Sequence, residues 1–91
     1  MVSIEKQHVT VKLGSLPEEG VLLLSSHELL AILVRLEASL YTNDPDIAGK
    51  WSLEIGFGAC AVRNETVLFD ALDDAVTWVS ERVARDRRVS S

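Results

Sequence analysis

His8, His27 and Cys60 are the imidazole and thiol groups of this chain, so a zinc site, a thiol nucleophile or a histidine base must be built from these three. Zinc is held by such ligands clustered at short spacing, typically four around one ion. Here they stand one to a segment, and the expectation is that there is no metal site and no cofactor. His8 reads as the exposed side of a strand, His27 as part of the first turn of a helix, and Cys60 as a small buried hydrophobe. Nucleophilic catalysis would need Cys60 or a serine beside a base. There is no G-x-S-x-G elbow, and no motif accompanies either histidine to fix its tautomer. The chain is therefore expected to be no enzyme, with no catalytic residue assigned.

The carboxylates offer two further constellations. Asn43, Asp44 and Asp46 have ligand oxygens, yet they lack the spacing, the central glycine and the closing glutamate of a calcium loop. They read as a solvated turn. Asp70, Asp73 and Asp74 could be cast as paired acids, but they fall where a helix start favours negative charge. Gly56-Phe57-Gly58 is followed by no third glycine, lysine or helix start, so it marks a bulge or bend in a strand rather than a phosphate loop.

The elements that would position these residues follow from hydrophobic period. Val9, Val11 and Leu13 alternate with His8, Thr10 and Lys12 as a half-buried strand does. Residues 14–20, with Gly14, Pro17 and Gly20, read as a loop, after which Val21 to Leu24 can pair back as a short strand. Ser25 with Glu28 three residues on forms a capping box, and Leu24 can staple onto Leu29, which predicts a helix from about Ser26 to Tyr41. Its apolar residues cover most of the circumference, so it must be buried on more than one side. Its second side faces either a partner chain or the N-terminal hairpin.

Pro45 ends that helix by biasing Asp44 away from the α region. Trp51, Leu53, Ile55 and Phe57 then alternate with Ser52, Glu54, Gly56 and Gly58, a strand with one buried face. Ala59 to Val62 and Thr66 to Phe69 continue as strands around a turn at Arg63-Asn64-Glu65. Asp70 is placed as the cap of a last helix, whose stripe is Leu72, Val76, Val79 and Val83, widened by Ala75 and Trp78. Arg82, Arg85, Arg87 and Arg88 lie at the end where positive charge is favoured, and the helix is expected to end near Asp86, with a frayed tail from about residue 87.

The predicted architecture is a single α+β domain, a two-layer sandwich with an antiparallel sheet of four or five strands and two helices on one face, in the order β-β-α-β-β-β-α or a close relative. Its helix, strand meander and final helix resemble double-stranded RNA-binding domains in order alone. Their basic helix start is replaced by Asp70, Asp73 and Asp74, so that function is not carried over.

Ninety-one residues with 47% hydrophobic content suit one domain with an aliphatic core, and no apolar run approaches the length of a membrane span. A single cysteine and an N-terminus without a basic and apolar leader point to a cytoplasmic protein. Of the net charge of −5, residues 1–81 contribute −8 and residues 82–91 contribute +3. An acidic body disfavours direct contact with nucleic acid, whose binding draws on Lys and Arg.

These features predict a non-enzymatic protein-binding module, an inhibitor or regulator that occupies a partner protein with a basic or nucleic-acid-binding surface. Bacterial or phage-type inhibitors such as anti-CRISPR and immunity proteins are similar to it in size and charge. The residues expected to meet the partner are Glu18, Glu19, Asp44 and Asp46 for an acidic face, and Leu30, Val34 and Tyr41 for an apolar one. The alternative is a self-associating accessory subunit, a homodimer in the simplest case. No membrane partner is expected.

Overall fold

The computed structural model describes residues 3–13, 16–37, 46–63 and 65–89. Five strands are followed by one helix among these residues: β1 (Glu5–Leu13), β2 (Leu16–Ser25), β3 (Glu28–Arg35), β4 (Trp51–Gly56), β5 (Leu68–Phe69) and α1 (Leu72–Val89). The strands form one antiparallel sheet in the order β1-β2-β3-β4-β5, so each pairs with its neighbours in the chain. The fold is α+β, as expected, with one helix in place of the two predicted.

The predicted first helix is β3 from Glu28 to Arg35, preceded by a tight turn. Ser25 pairs with Glu28, leaving Ser26 and His27 as a two-residue connection with φ of 51° and 68°. Positive φ at both positions is the type I′ turn, whose twist matches that of the strands it joins. A capping box and the closing pair of such a hairpin share the same three-residue separation, and this chain uses the second. The remaining part of that helix, residues 38–41 with Tyr41, and the loop residues Asn43, Asp44 and Pro45 lie outside the described residues. The resemblance in element order to double-stranded RNA-binding domains falls with the helix.

A strand packed on both faces reads as a continuous apolar run, which hides its period. Two irregularities hide it further: the β2–β3 register shifts at Leu23/Leu24 and the β3–β4 register shifts at Ile32/Leu33. The predicted loop at residues 14–20 also belongs largely to β2, which begins at Leu16. Pro17 is tolerated there because β3 joins β2 only from Gly20 onward, so no ladder needs a proline N–H on that side. The predicted strand over Ala59 to Val62 is instead a 3-10 turn at Gly58–Cys60 followed by irregular chain. β5 is shorter than expected and pairs only with Trp51 and Ser52.

α1 covers one face of the sheet. Val21, Leu23, Ala31, Leu33, Trp51, Leu53 and Phe69 turn toward Ala75, Val79 and Val83, with Cys60 enclosed among them. These helix residues recur every four positions; Val79 and Val83 belong to the predicted stripe and Ala75 to its predicted margin, while Leu72, Val76 and Trp78 pack partly buried against the same core. It begins at Leu72 and continues to Val89, three residues beyond the expected end. Asp73 and Asp74 occupy its first turn, while Asp70 precedes it and pairs with Lys50 Nζ at 2.9 Å.

Candidate functional site

The groups expected to be chemically idle are held apart. His8 is exposed on β1 and His27 is exposed in the β2–β3 turn, whereas Cys60 is fully buried. Among the described residues no three His, Cys, Asp or Glu side chains converge as a metal site would require. Burial pushes the Cys60 thiol above its ordinary value of 9.0, and the nearby Arg82 charge offsets only part of that rise. Burial of the sulfur and the rise it causes both disfavour a thiolate here.

Arg82 organises the surface above it. Its Nε donates to the Ala59 carbonyl at 2.8 Å, and its guanidinium lies 4.6 Å from the centre of the Trp78 ring. Trp78 meets Phe69 edge-on, with centroids 5.7 Å apart and planes at 64°. One side chain thus ties the 3-10 turn to α1, and one ring ties α1 to β5.

Beside this tie lies a cleft of about 290 Å³ bounded by the β2–β3 turn, the end of β4, the 3-10 turn and α1. Leu29, Leu30, Phe57 and Val83 give it apolar walls, and Glu28 and Asp86 bring carboxylates to it. The local chain explains its shape. Phe57 N–H donates to the Leu30 carbonyl at 2.9 Å, which fixes Phe57 at the end of the sheet. Gly56 lets the 3-10 turn fold back against β4, because a Cβ there would collide with the Cys60 carbonyl. A second, more open cavity of about 260 Å³, lined by Ala59, Arg82, Arg85 and Asp86, adjoins the first through Ala59 and Asp86.

The sheet face opposite α1 supplies another surface. Residues paired across antiparallel strands share a face. Leu22 pairs with Ile32 and Ile32 with Ile55, so the three form a row on the side away from the helix. Leu22, Leu24 and Ile32 are half-buried, while Ile55 is 50% exposed. Ile55 was expected beside Trp51 and Leu53 on the buried face. The register shift places Glu54 as an extra residue between Leu53 and Ile55, which turns Ile55 to the open side. Phe57, expected on the same buried face, is 41% exposed in the cleft.

The residues expected to meet a partner are distributed as follows. Glu18 is buried on β2, with Oε2 lacking a hydrogen-bond partner among the described residues. Glu19 is exposed and lies 3.9 Å from Arg35. Asp46 is exposed, and Asp44 and Tyr41 lie outside the described residues. Leu30 lines the cleft, and Val34 is fully buried, so the sheet face opposite α1 is open at the Leu22, Ile32 and Ile55 row and not around Val34. From the sequence, Glu28, Ile55, Phe57, Arg82 and Asp86 have only structural places, Arg82 and Asp86 as the close of the last helix. Glu28 was absorbed into the capping box, and Ile55 and Phe57 into an uninterrupted alternation. Compared with protein-family models, with curated proteins and with solved structures, the chain matches none.

Proposed function

We propose that this chain is a non-enzymatic, acidic protein-binding module, an inhibitor or regulator that occupies the surface of another protein. The observation that supports the reading is the sheet face opposite α1, where the Leu22, Ile32 and Ile55 row ends in a half-exposed isoleucine. An apolar row of this kind, within a body of net charge −5, suits a partner with an apolar patch set in basic surroundings. The module type includes inhibitors of the anti-CRISPR and immunity-protein kind.

Affinity capture from native lysate, eluted across a salt gradient, tests this. A basic protein should be retained by the wild type, released by moderate salt, and lost with Ile55→Lys or with Glu19→Lys combined with Asp46→Lys, while the melting temperature stays put. Equal capture by wild type and all variants would remove the basis for this surface. Self-association is the second reading, favoured by β1, a nine-residue strand that among the described residues is paired on one edge only. Sedimentation that shifts with protein concentration but not with salt would select it.

A further inference from the structure

We propose that the cleft walled by Leu30, Phe57 and Val83, with Glu28 and Asp86 at its polar side, receives one arginine or lysine side chain of a partner protein. This rests on the protein-binding reading and names the contact that would give it specificity. The cavity of about 290 Å³ is at or below the lower end of pockets that hold drug-sized ligands, about 300–1,000 Å³, so it suits a single side chain better than a cofactor. Its chemistry is that of a long basic residue: an apolar stem against leucine, valine and aromatic carbon, and a charged head beside carboxylates. Phe57, 41% exposed, offers a ring to the cation as well.

Two carboxylates reach the cleft from different elements, Glu28 on β3 and Asp86 on α1. The ion pairs found among the described residues are Arg35 with Glu19 and Lys50 with Asp70, and neither involves Glu28 or Asp86. Arg82 and Arg85 line the adjoining cavity rather than this one. Asp86 lines both cavities and so shares its charge with these guanidiniums, which leaves Glu28 as the carboxylate that belongs to this cleft alone. The base of the cleft is held by the Phe57 to Leu30 hydrogen bond and by the Arg82 to Ala59 tie, so its walls exist before a partner arrives.

Nitrogen-15 NMR titration of the full chain with the blocked tripeptide Ala-Arg-Ala, and with its citrulline counterpart, reads the proposal directly. Citrulline keeps the shape and removes the charge. Saturable shifts centred on Glu28, Phe57, Ala59 and Asp86 are expected for the arginine peptide, with the citrulline peptide about tenfold weaker. Glu28→Gln combined with Asp86→Asn should lose a similar factor with an otherwise unchanged spectrum. Phe57→Ser should weaken binding without altering its charge dependence. Equal binding of the two peptides, shifts scattered over the surface, or preference for an Ala-Glu-Ala peptide would overturn the assignment. Lysate capture that persists in the Glu28 and Asp86 double variant would overturn this cleft while leaving the binding-module reading intact. Loss of all lysate capture by the wild type would instead remove that reading.

Discussion

Arg82 reaches from α1 to a backbone carbonyl 23 positions away in the chain and stacks on Trp78 as it does so. Its Nε bond to Ala59 and its contact with Trp78 use two parts of one guanidinium, which a lysine ammonium cannot reproduce together, so Arg82→Lys should lose a large part of what Arg82→Ala loses, about 1–2 kcal/mol by urea unfolding. Cys60, beneath it, is enclosed and its thiol is raised by burial. Alkylating reagents should therefore label it only as the protein unfolds. The linkage has a definite sign. A thiol that titrates near 9.0 when unfolded and higher when folded contributes fully below that pH. As pH rises past 9.0 the unfolded chain gives up its proton first, and stability falls until the folded thiol titrates too. Comparison of unfolding curves for wild type and Cys60→Ala across the alkaline range should show a shallower loss in the variant.

The hairpin of β2 and β3 carries its turn at Ser26 and His27, both at positive φ. Asn-Gly suits that geometry better than Ser-His, so Ser26→Asn with His27→Gly should stabilise the chain by about 0.5–1 kcal/mol, read as a raised melting temperature. Gly56→Ala should do the opposite, since its Cβ meets the Cys60 carbonyl, and a loss of about 1–3 kcal/mol is expected. These two positions also show why some elements were legible in the sequence and others not. β1 and α1 are legible because their apolar residues keep to one side, half-buried Val9 and Val11 in β1 and Ala75, Val79 and Val83 in α1, whereas the period of β4 holds from Trp51 to Leu53 and breaks at Glu54. β3 carries apolar side chains on both faces and is offset by register shifts on either side, so its period is lost. Of the cleft, only Leu30 was anticipated as a binding residue, because bringing Glu28, Phe57 and Asp86 together depends on a turn and a fold-back that hydrophobic period does not encode.

At the scale of the whole molecule, one helix covers one face of a five-stranded sheet, and the body extends 46 × 23 × 22 Å. Part of that length comes from β1 and β2, which run on together past Gly20, where β3 leaves them. The two faces should differ in energetic weight. Leu33→Ala, on the helix side and fully buried, should cost about 2–5 kcal/mol, whereas Ile32→Ala on the open side should cost less than half of that in the isolated protein. A gap that closes on addition of a captured partner would mark that side as covered in the complex. The strand order has a consequence for how the protein is made. Because every strand neighbours the next one in sequence, β1 to β4 can pair one after another as the chain leaves the ribosome, without waiting for a distant segment. α1, the cover for Leu23, Leu33 and Leu53, is translated after them. Until it arrives, the growing sheet shows apolar side chains on both sides, and translation stalled near Asp70 should yield a species that chaperones hold and that aggregates without them.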